Sequence, residues 1–142
     1  MQYGDGMMMK QLLLLPFAAL AIAAQGTAPV RPEVPVMVGG DSEQDACGGT
    51  YRVRGLNPRG ENFLAVRSRP TAGARELARL RNGHTGYLCA SSADGQWQGV
   101  VYAPAGRDID CGVGTPISHS RPYRGPCASG WVSSRFVELV AG

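Results

Sequence analysis

The most informative segment for the fold is Gly130-Trp131-Val132-Ser133-Ser134-Arg135-Phe136-Val137, close to the C-terminus. Its residues largely alternate, so that Trp131, Ser133, Arg135 and Val137 fall on one side of an extended chain. This alternation predicts that 130–137 is a closing β-strand. A closing strand needs partner strands, and these must lie upstream in the chain.

Five upstream segments have the same short, alternating character: 50–54, 63–70, 76–80, 85–90 and 96–102. Asn82-Gly83 and Asp94-Gly95 are typical of tight turns between strands. The apolar spacing of 76–80 also suits one helical turn, but the Asn82-Gly83 turn that follows favours a strand. Short strands at such intervals predict an all-β domain, a small barrel of about five to six strands.

The segment 103–129 interrupts this pattern with four prolines and four glycines, which exclude a helix. A segment of about 25 residues without secondary structure is unusual in a compact domain. A disulfide across it would explain its length, and we therefore call it the clipped loop. The four cysteines are Cys47, Cys89, Cys111 and Cys127. They form no Cys-x-x-Cys motif, so disulfides are favoured over zinc or redox chemistry. Of the three possible pairings we favour Cys111–Cys127 together with Cys47–Cys89.

The N-terminal residues have the layout of a secretory signal peptide. A short lead ending in Lys10 precedes an apolar run over 12–24 that finishes in small residues. At about 13 residues the run is too short to span a bilayer comfortably. Residues 1–24 are therefore predicted to be a signal peptide, which implies a periplasmic or secreted protein with no membrane span in its mature form. Asp5 dilutes the basic lead, so we hypothesise that translation starts at Met7, Met8 or Met9.

Residues 25–45 are predicted to be a Pro-rich linker, because prolines and Gly39-Gly40 precede an acidic patch. Within it, 34–38 is locally apolar and suits pairing with an edge strand, but the prediction leaves it disordered. The folded domain is predicted over 46–142. It contains 12 Arg, no Lys and only six Asp or Glu, so the surface is either solvated or faces an anionic partner. The absence of a long basic run argues against nucleic acid.

Four segments of the predicted domain resemble the bacterial Src-homology-3 family. Segment 63–70 is similar to that family's opening Leu-x-Val-Arg-Ser motif, 77–83 to its return strand, 95–100 to its Gly-x-Trp strand and 130–137 to its Gly-Trp-Val closing segment. They occur in the family's order and cover about residues 50–140. The sequence departs from the family at Arg69, where Gly is usual, and at the clipped loop, where a short turn is usual. The resemblance implies a small Src-homology-3-like β-barrel with the clipped loop as an insertion, and it implies peptide or cell-wall binding.

Two sets of residues are candidates for a binding site. The aromatic set consists of Trp97 and Trp131, with Tyr102 and Tyr123 as weaker members. These rings either belong to the core or offer a flat platform for a peptide or glycan chain. The basic set consists of Arg67, Arg69, Arg121 and Arg124. These side chains are either solvated or form a rim that captures carboxylates.

Catalysis is not predicted, because a Cys/His hydrolase needs a free thiolate and all four cysteines are better used in bridges. No nucleophile-elbow motif for a serine triad occurs either. His84 and His119 lack ligand spacing, so neither a metal nor a cofactor is predicted. The predicted function is a non-enzymatic binding module for a cell-wall polymer or an envelope protein. The alternative is an interaction or inhibitor protein that applies the clipped loop to a protein partner.

Overall fold

The computed structural model describes residues 28–142, and the predicted signal peptide lies outside this range. The described chain is all-β, with eleven strands and one 3-10 turn. The elements are β1 Met37–Val38, β2 Asp41–Asp45, β3 Gly49–Val53, β4 Leu64–Arg67, β5 Glu76–Leu80, β6 Thr85–Ser91, β7 Trp97–Tyr102, β8 Pro116–Ile117, β9 Arg121–Pro122, β10 Ala128–Ser133, the 3-10 turn Ser134–Phe136 and β11 Val137–Ala141.

Seven strands form one antiparallel sheet in the order β11-β3-β6-β7-β10-β4-β5. The sheet is open: β11 and β5 are its edges, and no pairing joins them in the described part of the chain. The all-β prediction is therefore confirmed, but the predicted small barrel is wrong in that the sheet does not close. The sheet has seven strands where five to six were expected. The five strands β3 to β7 are present, and the C-terminal segment adds two separate strands, β10 and β11.

The alternation predicted that 130–137 is a single strand, and this prediction is wrong. Strand β10 ends at Ser133, and the 3-10 turn separates it from β11. Ser134 fixes this turn, because its N–H donates to the Gln96 carbonyl (2.9 Å) and its Oγ donates to the Gly95 carbonyl (2.7 Å). The turn carries the chain from the middle of the sheet, beside β7, to the far edge, beside β3.

The central strands β7 and β10 bury apolar side chains on both faces. Neighbouring residues of a strand point in opposite directions, so Val100 and Val101 enter two different clusters. The inner cluster contains Tyr51, Val53, Leu56, Leu64, Val66, Leu80, Val100, Tyr102 and Val132. The outer cluster contains Val36, Val38, Ala46, Cys47, Val101, Cys111, Val113, Tyr123, Cys127 and Trp131. Apart from Leu56, the predicted strands supply the inner cluster, whereas the clipped loop and the N-terminal segment cover the outer one.

Residues 36–45 pack on the domain and do not form a disordered linker. Strand β1 pairs with β9, and β2 pairs with β8, so both short sheets join the N-terminal segment to the clipped loop. Val36 and Val38 are only 1% and 2% exposed. The prediction of disorder for 34–38 is wrong, because the partner strands lie in a segment whose local sequence gave no sign of them.

Both favoured disulfides are present, Cys47–Cys89 and Cys111–Cys127. Cys89 packs against the outer cluster that contains the other three cysteines. Two disulfides indicate an oxidising environment outside the cytoplasm. Among residues 28–142, no helix has the length and apolar character needed to cross a membrane.

Candidate functional site

The clipped loop contains a cavity of about 390 Å³, which we call the loop cavity. Its wall is largely apolar, and two arginines, Arg121 and Arg124, belong to it. The full lining is Val38, Cys111, Gly112, Val113, Ile117, Arg121, Pro122, Tyr123, Arg124, Gly125 and Pro126. Three of the eight predicted binding residues, Arg121, Tyr123 and Arg124, are thus brought together in one place.

Strand pairing positions the cavity wall. Val38 of β1 lies opposite Arg121 of β9, and Met37 lies opposite Pro122. Further along the loop, the Ala46 N–H donates to the Thr115 carbonyl (2.9 Å) and the Cys47 N–H donates to the Val113 carbonyl (3.2 Å). Backbone hydrogen bonds therefore hold both sides of a loop that has few strand-forming residues of its own.

Tyr123 connects the two ends of the Cys111–Cys127 disulfide. Its hydroxyl donates to the Cys111 carbonyl (2.8 Å) and accepts the Cys127 N–H (3.1 Å). Burial raises the pKa of the Tyr123 phenol, so the hydroxyl keeps the proton that it donates. A Cβ on Gly125 would collide with this phenol, which explains the glycine. Tyr123 is therefore a structural pin of the cavity, with 6% of its surface exposed.

Arg121 and Arg124 are the cavity's two exposed cations. Within residues 28–142, neither guanidinium forms an ion pair or donates a hydrogen bond to the protein. Five N–H donors in a planar fork match a carboxylate in two-pronged geometry. The lining contains no carboxylate, histidine or serine. An apolar wall beside two uncommitted guanidinium groups suits the binding of an anionic ligand with a small apolar part.

A second concavity, of about 310 Å³, lies between β4, β5 and the end of β10. It contains the half-buried Trp97 and the predicted Arg67. Its cations are already engaged: Arg67 donates to the Ala74 carbonyl (3.1 Å), and Arg79 pairs with Glu76 and lies 4.0 Å above the Phe63 ring. The lining also includes Glu61 and Glu76. Mixed and internally paired charges make this concavity a weaker candidate for an anionic ligand.

The remaining three predicted residues lie apart from both concavities. Trp131 is buried in the outer cluster with 6% of its surface exposed, and its ring N–H donates to the Val34 carbonyl (2.9 Å). Tyr102 belongs to the inner cluster, and burial raises its pKa to about 12. Arg69 is exposed and pairs with Glu33 (3.6 Å). The burial of Tyr102, Tyr123 and Trp131 excludes an exposed aromatic platform built from these three rings.

The sequence interpretation missed the contribution of the N-terminal segment to this region. Val38 lines the loop cavity, and Arg31 donates to the carbonyls of Tyr123 (2.9 Å) and Arg124 (2.8 Å). A signal was present in the alternation of Val34, Val36 and Val38, which is typical of a strand with one buried face.

Among the described residues, no group of three or more His, Cys, Asp or Glu side chains is placed to hold a metal ion. No family model, curated protein or solved structure matches the chain.

Proposed function

We propose that this protein is a non-enzymatic binding module of the periplasm or the secreted fraction, and that its ligand enters the loop cavity. The supporting observation is the pair of uncommitted arginines, Arg121 and Arg124, beside an apolar wall. The proposed ligand is a cell-wall component or an envelope protein that presents a carboxylate next to a small apolar group. Peptidoglycan stem peptides have this chemistry, and so do the C-termini and acidic side chains of proteins.

Two observations support the proposed location. The two disulfides indicate an oxidising compartment, and the N-terminal sequence predicts export. A cell-wall polymer and the envelope proteins share that compartment.

Retention on purified peptidoglycan at low salt tests the proposal. We expect the wild-type protein to be retained and Arg121→Ala/Arg124→Ala to lose at least tenfold in affinity, because each charge-assisted hydrogen bond contributes roughly 1.5–3 kcal/mol. The matched control is Arg52→Ala/Arg59→Ala, which removes the same charge at exposed positions outside the cavity. Equal retention of the two double variants would contradict a role for the cavity.

The second candidate is an interaction or inhibitor protein that inserts the clipped loop into a protein partner. The support for it is that the clipped loop is fixed at its base. Tyr102, just before the loop, lies opposite Ala128 near its end, and the Cys111–Cys127 disulfide closes the loop. Small preorganised loops lose little entropy on binding. Failure of wild-type protein to bind peptidoglycan, together with co-purification of a single envelope protein, would favour this candidate.

We also propose that the seven-stranded sheet is a divergent form of the bacterial Src-homology-3 fold. In support, the four similar segments coincide with β4, with β5 and the turn after it, with the start of β7, and with β10 and its 3-10 turn. An experimental structure superposed on domains of that family tests the assignment, and a different path of these strands would contradict it.

A further inference from the structure

The N-terminal residues 31–35, which we call the strap, lie across Trp131 and the loop between β4 and β5. Every strap residue is exposed except Pro32, which is half-buried. The next residues differ sharply, because Val36 and Val38 are buried in the outer cluster. Apolar burial thus anchors the exposed strap only at its downstream end, where Val36 follows it.

The Arg31 side chain ties the start of the strap to the carbonyls of Tyr123 and Arg124, and the strap's backbone is held at a single residue. The Val34 N–H donates to the Ser68 carbonyl (3.0 Å), and the Trp131 ring N–H donates to the Val34 carbonyl (2.9 Å). Trp131 and Ser68 are both buried, so their donor and acceptor are fixed in place. Since these contacts use only main-chain atoms of the strap, any residue other than proline can make them.

Beside this backbone site lies a site for a carboxylate. Glu33 pairs with Arg69 (3.6 Å) and Arg75 (3.9 Å), and all three side chains are more than half exposed to solvent. Exposed ion pairs of this kind stabilise a structure by about 0–1 kcal/mol. The strap's own carboxylate is therefore weakly held by two arginines that can exchange it for another.

We propose that Ser68, Trp131, Arg69 and Arg75 form a binding site for a carboxylate-bearing peptide segment of a partner protein, and that the strap occupies this site in the free protein. The partner's residue replaces Val34 between Ser68 and Trp131, and its carboxylate replaces Glu33 between the two arginines. When the strap lifts, the Trp131 ring N–H and the Ser68 carbonyl lose these hydrogen-bond partners, and a new segment in its place can supply them.

A partner fits this site better than a second copy of the chain. A strap from a second copy offers the same contacts as the tethered strap, which has the advantage of a high effective concentration. Only a segment with additional contacts displaces it. The site is separate from the loop cavity, since it uses neither the Arg121 nor the Arg124 side chain.

The test uses the full chain and a fluorescein-labelled heptapeptide with the sequence of residues 29–35. Val34→Pro/Glu33→Gln removes the N–H that donates to Ser68 and the carboxylate that meets the arginines. We expect this variant to bind the peptide at least tenfold more tightly than wild type, by fluorescence anisotropy. A peptide with Gln in place of Glu33 should bind at least threefold more weakly, and adding Arg69→Ala/Arg75→Ala to the variant should remove the gain.

The matched control, Val30→Pro/Glu43→Gln, makes the same chemical changes at exposed positions outside these contacts and should bind like wild type. A second variant, Arg31→Ala/Glu33→Gln, loosens the strap through its side chains. If neither loosened variant gains more than twofold over wild type, the proposal is overturned. A dimer that forms without peptide and is abolished by Arg69→Ala/Arg75→Ala would also overturn it and would assign the site to a second copy.

Discussion

The inner and outer clusters lie on opposite faces of the same central strands, but they are built in different ways. The inner cluster contains none of the cysteines and is supplied by strands with alternating side chains. The outer cluster draws on the N-terminal segment, the clipped loop and both disulfides. The buried residues on one face of a sheet can therefore be predicted from the alternation of its strands, whereas those on the other face depend on disulfides and backbone hydrogen bonds between distant segments. The predictions below test this contrast.

Removing the disulfides should have the largest effect. In the chain-entropy model, Cys47–Cys89, with a separation of 42 residues, contributes about 4 kcal/mol, and Cys111–Cys127, with a separation of 16, about 3 kcal/mol. We expect Cys47→Ala/Cys89→Ala to lower the free energy of unfolding more than Cys111→Ala/Cys127→Ala does. Urea unfolding followed by circular dichroism measures both. The reverse order would show that strain or residual structure outweighs loop length.

The second-largest effect is expected when one methyl group is added to the inner face, and the same change in the clipped loop should have little effect on the free energy of unfolding. A Cβ on Gly130 would collide with Val66, which is fully buried in the inner cluster. Gly130→Ala should therefore destabilise the fold by about 1–3 kcal/mol. In the clipped loop, a Cβ on Gly114 has open space around it, so Gly114→Ala serves as the control and should change the free energy of unfolding by less than about 0.5 kcal/mol. Similar losses in both variants would contradict this account of the inner face.

The two tryptophans should respond differently to the same substitution. Trp131→Phe removes the hydrogen bond to the Val34 carbonyl as well as buried volume, so we expect a loss of about 1–2 kcal/mol. Trp97 is half-buried, and its ring N–H makes no hydrogen bond to the described protein, so Trp97→Phe should cost less. The Trp131 variant should also expose the strap to the protease Glu-C at Glu33. Equal cleavage in the two variants would mean that this hydrogen bond does not hold the strap.

Acid should act on the inner face through His84, with the smallest effect. His84 lies 6.0 Å from Tyr51 and 5.2 Å from Tyr102 between ring centroids, and its Nδ1 is 3.4 Å from the Tyr51 hydroxyl. Burial lowers its pKa below the ordinary 6.5. The unfolded chain therefore takes up the proton first as the pH falls below about 6.5, and stability declines until the pH passes the lowered pKa.

Urea midpoints at several pH values measure this decline. His84→Gln should flatten the pH dependence in that window. His119→Gln, at an exposed position in the clipped loop, should leave it unchanged. A flat wild-type profile between pH 7 and pH 5 would contradict the role of His84.

The sequence identified four arginines as candidate ligands for a carboxylate, but it could not predict which of them the folded protein leaves free to bind one. Arg67, Arg69, Arg121 and Arg124 are indistinguishable in the sequence as possible carboxylate ligands. In the structure, Arg67 bonds a carbonyl and Arg69 pairs with Glu33, whereas Arg121 and Arg124 are left uncommitted beside the cavity. Sequence patterns cannot separate these cases, because the partner of Arg69, Glu33, and one residue of the cavity wall, Val38, come from chain segments far away in sequence.

The β class and most of the strands could be predicted from the sequence, which also favoured the disulfide pairing that is present. These features depend on local alternation, turn residues and the spacing of a few cysteines. Three features could not be predicted in this way: the sheet stays open, the segment 130–137 bends through a 3-10 turn, and residues 36–45 belong to the domain. The physical reason is that pairing and burial are properties of two segments at once: Val36 and Val38 become core residues only where β9 and Trp131 meet them.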